Sequence, residues 1–318
     1  MLHPAFNTIR RLNMQTTSTI LMIEPAAFGY NAETAANNYF MQQPDETPAC
    51  IQTKALNEFT LMVEKLRGAG IRVLVERDTP EPPTPDSIFP NNWVSFHEQG
   101  VAVVYPMYAE SRRMERRSSI FKFLREKGHA YPELITLAHY ELQHLFLEGT
   151  GSMVLDRCNR VAYAALSERT SSTVFNDFCN RLNFEAIAFS AFQQVGTQRR
   201  PVYHTNVMMC VAEQFAVVCT GSIDNRDEQS RVIEKLRSTG KTIVEISEAQ
   251  MHQFAGNMLQ LSSASGELKL VVSGSAYAAL DGNQLAVLRQ YNDLVVCDVP
   301  TIEKYGGGSV RCMIAEIF

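Results

Sequence analysis

No apolar run in the 318 residues approaches the roughly 20 that a membrane-spanning helix needs. No CxxC pair and no Cys/His grouping at zinc spacing occurs among the seven cysteines, and their odd number argues against a disulfide framework. Residues 1–16 contain His3, Arg10 and Arg11 but no apolar block before a small-residue cleavage site, so no secretory leader is expected. A Pro/Ser-rich linker is missing, as is any long run of one charge. These absences predict one compact domain over residues 17–318, preceded by a flexible stretch over 1–16, in a reducing cytoplasm.

What is present fits that class. With 45% hydrophobic and 20% charged residues the chain can bury a large core, and a net charge of -5 suggests neither a nucleic-acid nor a membrane partner. Oligomerisation, including a homo-oligomer, is left open.

A pattern repeats along the sequence. Residues 92–96 read as a strand, 97–100 as a polar turn and 101–105 as a return strand, with helical periodicity over 110–127. The hairpin recurs at 152–155 with 161–163, at 207–211 with 215–219, and at 258–261 with 268–272; helices are predicted over 167–182, 227–238 and 281–291. Residues 312–317 open a fifth unit that strand 19–24 can complete, with helix 49–69 and strand 71–76 after it. The unit returns roughly every fifty to sixty residues, the signature of a stacked or closed repeat architecture. If the units are related by rotation, their strand starts converge on one axis. Those starts carry Asn92, Glu148, His204 with Asn206, Asn257 and Cys312, which would then line a single pocket.

Three glycines, Gly306, Gly307 and Gly308, free the backbone from steric limits just before Cys312. A segment able to approach a ligand closely therefore carries a potential nucleophile. His204 offers a base and Glu148, in Leu147-Glu148-Gly149, an orienting carboxylate. Each residue alone reads more simply as a packed or surface group; their shared place in the repeat is what favours a joint role. His139 and His144 lie near Glu141, but a spacing of five does not put two imidazoles on one helix face, so no metal site is expected.

On these residues the chain resembles the guanidino-group-modifying enzymes, which include arginine deiminases, dimethylarginine dimethylaminohydrolases and amidinotransferases. The resemblance covers residues 19–318 and is carried by the glycine-rich segment before Cys312, by Leu147-Glu148-Gly149 and by His204. It implies an α/β fold, a five-bladed pseudo-symmetric α/β propeller (pentein) of ββαβ units, forming one catalytic domain. It also implies covalent catalysis without a cofactor, with Cys312 attacking the central carbon, His204 acting as acid then base, and Glu148 orienting His204. Asp86 is similar to the acidic residue that binds a substrate α-amino group, and Arg113 to an arginine that holds the α-carboxylate.

Two positions depart from the guanidinium pattern. Where those enzymes place aspartates, this chain has Asn92 and Asn206. A guanidinium enclosed without its counter-charges loses about 3 to 5 kcal/mol, a factor of hundreds or more in binding. A neutral ureido group suits asparagine, which offers both N–H donors and a C=O acceptor. The pattern resembles that of citrulline-utilisation hydrolases, so the expected partner is a small amino-acid substrate, citrulline foremost. The alternatives are a guanidinium-directed deiminase, dimethylarginine hydrolase or amidinotransferase, and, in another class, a propeller that binds without catalysis.

Overall fold

A computed structural model describes residues 14–318. Of the expected flexible stretch, residues 1–13 lie outside the described residues. Gln15 is 7% exposed and donates through Nε2 to the carbonyls of Leu155 (2.9 Å) and Val211 (3.0 Å).

Five three-stranded sheets share one plan, in which the central strand pairs antiparallel with a short inner strand and parallel with an outer one. The central strands are Thr19–Glu24, Val101–Val104, Val161–Leu166, Phe215–Val218 and Leu268–Ser273. They are apolar nearly throughout, as strands buried on both faces must be. A helix leads from each central strand to its parallel neighbour: Pro48–Gly68, Ser119–Glu126, Ser172–Leu182, Arg226–Ser238 and Gly282–Tyr291. The first of these starts with Thr47 accepting from the Cys50 N–H and Pro48 at the first helical position, and buries Phe59, Met62, Val63 and Leu66.

The inner strands are brought together. Ala315–Glu316 packs beside Val94–His97, Val154–Asp156 beside Met209–Val211, and Met209–Val211 beside Leu259–Ser262. The fifth sheet uses both ends of the chain, with Ala315–Glu316 antiparallel to Thr19–Glu24, and the Ser262 N–H donates to Thr17 O to join it to the fourth. This is the repeated ββαβ plan of the α/β fold that the resemblance implies.

Several boundaries differ from the periodicity. The helix expected over 110–127 is two, Glu110–Arg113 and Ser119–Glu126. The break lets Arg112 turn toward Asp86 and Asn92, with Glu115 pairing to it, while Ile120 and Leu124 pack into the core. The helix expected over 167–182 starts at Ser172, because Ser167 and Thr170 form a β-bridge. A hairpin, Phe192–Val195 with Gln198–Pro201, and the helix Pro300–Gly306 are additional.

Before each inner strand comes a short turn, and these turns meet at one end of the molecule. Pro90–Asn92 packs against Gly149–Ser152, which packs against Thr205–Met208. Asn257 Oδ1 accepts from the Arg311 N–H at 3.0 Å, linking the fourth and fifth.

Candidate active site

Cys312, His204 and Glu148 come from three of these turns and are 3%, 2% and 0% exposed. His204 Nε2 lies 2.8 Å from Glu148 Oε2, while Glu148 Oε1 accepts from the Tyr108 N–H at 3.0 Å. The pair fixes the imidazole ring and leaves Nδ1 available to a ligand. Burial acts to raise the Glu148 carboxyl, but Arg169 (Nη1 at 3.5 Å), His204 and Arg112 outweigh it and hold Glu148 well below the ordinary carboxylate range. Burial pushes His204 down to about 4 against the opposing pull of Glu148. At neutral pH the pair is thus an ionised carboxylate beside a neutral imidazole.

The Cys312 sulphur receives two amides. Asn206 Nδ2 approaches Sγ at 3.4 Å and Asn257 Nδ2 at 3.3 Å. Asn92 is oriented by Arg112, whose Nη1 donates to Asn92 Oδ1 at 2.7 Å; an arginine can only donate, so the Asn92 NH₂ must turn the other way. That leaves Asn92 Nδ2 and Asn206 Oδ1 buried without a partner, one donor and one acceptor. Gly151 makes this approach possible: a Cβ there would lie 2.3 Å from Asn92 Nδ2 and 2.8 Å from His204 Nδ1.

The wall opposite is charged. Asp86 Oδ2 accepts from Asn31 Nδ2 (2.8 Å) and Thr34 Oγ1 (3.2 Å) and lies 3.8 Å from Arg112 Nε. Burial raises the Asp86 carboxyl, with Arg112 opposing. Arg112 also donates from Nε and Nη2 to Glu115, both at 2.9 Å, and burial lifts Glu115 to about 7. Arg169 donates to Thr34 O (2.6 Å) and Asn37 Oδ1 (2.7 Å), and its guanidinium lies 5.1 Å from the Tyr203 ring centre.

Cys312, His204, Asn92, Asp86, Arg112 and Arg169 all line one cavity, which is closed over by Thr34, Asn38 and the three glycines. Its volume is about 10 Å³, room for one water at most. An amino acid therefore enters only if the covering segment moves. That segment is tied down by Asn38 Nδ2 to Gly307 O (3.2 Å) and by the Asp86 bonds to Asn31 and Thr34.

Glu148, His204, Cys312, Asp86, Asn92 and Asn206 are thus brought into one neighbourhood, Asn206 from the adjoining cavity that it lines with Met258, Gln260 and Arg311, touching this one through the Cys312 sulphur. Arg113 is not. It is a quarter exposed, donates from Nε to Met107 O at 3.2 Å and sits beside Glu141 at 3.5 Å, whereas Arg112 reaches the cavity. The arginine run Arg112-Arg113 signalled the place, but one helical step of about 100° separates inward from outward. Arg169 was not anticipated, since Ser167-Glu168-Arg169-Thr170 carries no pattern that sets it apart. Asn257, expected to line the pocket with the other strand starts, touches the sulphur directly. Among the described residues no group of three His, Cys, Asp or Glu side chains is placed to hold a metal ion, and no helix is long and apolar enough to cross a membrane.

Over residues 24–318 the sequence matches the family described as N,N dimethylarginine dimethylhydrolase, eukaryotic. No curated protein matches. Among solved structures, the chain is similar to the substrate-bound N-terminal domain of ArgZ, an arginine dihydrolase from the ornithine-ammonia cycle in cyanobacteria, with a TM-score of 0.71, 16% identity, and 94% of this chain and 97% of that one covered. It is similar to unliganded AgrE, with a TM-score of 0.71, 17% identity, and 94% and 39% covered. A dimethylarginine dimethylaminohydrolase adduct with S-methyl-L-thiocitrulline gives a TM-score of 0.60 at 14% identity, with 95% and 99% covered. The chain spans 40% of whole ArgZ. At these identities the structural likeness is one of fold.

Proposed function

We propose, from the premise that the chain belongs to the N,N dimethylarginine dimethylhydrolase family, that it hydrolyses a neutral ureido amino acid, most simply citrulline, to ornithine, carbon dioxide and ammonia. The family places it among hydrolases of carbon–nitrogen bonds other than peptide bonds. The observation that carries the substrate reading is the buried, unpartnered pair Asn92 Nδ2 and Asn206 Oδ1. One donates to a ureido carbonyl and the other accepts from a ureido N–H. Asp86 suits an α-ammonium, whose charge would favour the ionised carboxylate that burial disfavours, and Arg112 or Arg169 suits the α-carboxylate.

In this mechanism the Cys312 thiol passes its proton to His204 Nδ1, and the thiolate adds to the ureido carbon. The carbonyl electrons move to oxygen, where Asn92 Nδ2 can donate. Collapse expels one nitrogen, which takes the proton from His204. Departure of ornithine leaves an S-carbamoyl cysteine; departure of ammonia leaves an S-(N-alkylcarbamoyl) cysteine that still carries the ornithine chain. Water, deprotonated by His204, then frees the thiol, and the resulting carbamic acid decomposes. Either order consumes one water and yields one each of ornithine, carbon dioxide and ammonia. Glu148 holds the ring and stabilises the imidazolium while it carries the proton.

The second reading, a guanidinium substrate, is favoured by the family's description and by the arginine dihydrolase likeness. A panel of citrulline, arginine, methylated arginines and agmatine, with products identified and the covalent adduct sought by intact-protein mass spectrometry, separates the two. Turnover of citrulline through a carbamoyl or N-alkylcarbamoyl adduct is expected, and Cys312→Ser should show neither. Undiminished turnover by Cys312→Ser would end the proposal.

A further inference from the structure

Asn257 lies in the fourth repeat, 0% exposed, and the reaction just described gives it no part. Its amide has one possible orientation. Oδ1 accepts from the Arg311 N–H at 3.0 Å, so the NH₂ must face the other way, where it meets Asn206 O at 3.0 Å and Cys312 Sγ at 3.3 Å. Asn206 Nδ2 reaches the same sulphur at 3.4 Å. The sulphur therefore accepts from two carboxamides whether or not it is protonated, and its own proton is left to point elsewhere.

We propose that Asn257 is a catalytic residue that, together with Asn206, forms a two-donor seat for the Cys312 sulphur, stabilising the thiolate and aiming it at the substrate carbon. The proposal rests on the reading of Cys312 as nucleophile. An N–H donor binds an anion more strongly than a neutral group, so both contacts tighten on deprotonation. Among the described residues no cation touches the sulphur to do this instead: His204 is neutral at rest, and the ureido group of a substrate brings no charge to it. Arg311, the residue before the nucleophile, has its guanidinium turned away to Ile314 O and Glu316, both at 2.9 Å. The Asn257 link to the Arg311 N–H also couples the seat to the backbone that carries Cys312, so amide and sulphur hold one register.

The test is alkylation of Cys312 by iodoacetamide in the substrate-free protein, followed across pH by peptide mass spectrometry, for wild type, Asn257→Leu and Asn257→Asp. Leucine removes the donor without adding charge. Aspartate keeps an acceptor for the Arg311 N–H and so preserves the loop. The alkylation rate at pH 7 should fall about ten- to a hundredfold in both and climb back to the wild-type ceiling at high pH. Asn206→Leu should show the same signature, which keeps the test alive if Asn257 variants do not fold. A folded Asn257 variant with an unchanged profile, or with a rate lowered equally at every pH, would overturn the proposal. Because the readout needs no substrate, failure on citrulline leaves it standing, and an unchanged profile beside intact turnover removes only the seat.

Discussion

Asn206 serves two purposes with one side chain, its NH₂ on the Cys312 sulphur and its Oδ1 buried without a partner. Asn206→Asp would set a carboxylate against the sulphur and take away the donor. An unpaired buried charge costs about 3 to 5 kcal/mol, so citrulline kcat/KM should drop a hundredfold or more while the arginine-to-citrulline ratio rises, as steady-state kinetics with both substrates will show. His204 makes a prediction about stability. It titrates near 6.5 when unfolded but is held down to about 4 in the native protein, so between those values the unfolded chain binds the extra proton. The stability this contributes is present above pH 6.5 and lost as pH falls toward 4, by roughly 3 kcal/mol relative to His204→Gln. Denaturant midpoints of the two proteins at neutral and acid pH test this; a constant gap would contradict it.

Among the elements, the short turns before the inner strands do the positioning, and glycine lets them close. Gly151→Ala would drive a methyl into Asn92 and His204, and activity should fall at least a hundredfold with a stability loss of about 1–3 kcal/mol, measured by turnover and thermal melting. The glycine triplet has a packing reason beyond a substrate's approach. A Cβ at Gly306 or Gly308 would strike the Phe89 ring at 2.9 Å, and Gly307 has φ +61° and little room beside Asn38 and Met41. Its place before a thiol was legible in sequence because glycines free the backbone just where the thiol follows; the aromatic contacts were not, since Phe89 is distant in the chain. Hairpins were legible from alternation and turn residues. The break at Met114 was not, because helical periodicity reports a face and says nothing of the buried Asp86 and Asn92 that draw Arg112 inward, or of Glu115 that follows it.

At the scale of the molecule, the repeat gave away the architecture, and the fifth sheet joins strands far apart in the sequence, Thr19–Glu24 and Ala315–Glu316. Deleting residues 315–318 should therefore destabilise the whole protein. It removes the strand paired with Thr19–Glu24 and takes Glu316 from Arg311 Nη2 at 2.9 Å, leaving a buried, unpaired guanidinium on the residue before Cys312. The loss, about 3 to 5 kcal/mol for the ion pair alone, approaches the total stability of many domains and should appear as a large drop in the urea midpoint. Convergence of Asn92, Glu148, His204, Asn206, Asn257 and Cys312 on one end followed from the repeat, whereas Arg169 could be placed only by the fold. The central claim is that these groups enclose a neutral urea. Its most direct measurement is the ratio of kcat/KM for citrulline to that for arginine in the wild-type protein, with ornithine and ammonia quantified. The account predicts one ornithine and one ammonia per citrulline and a ratio of about a hundred or more. Faster consumption of arginine would contradict it.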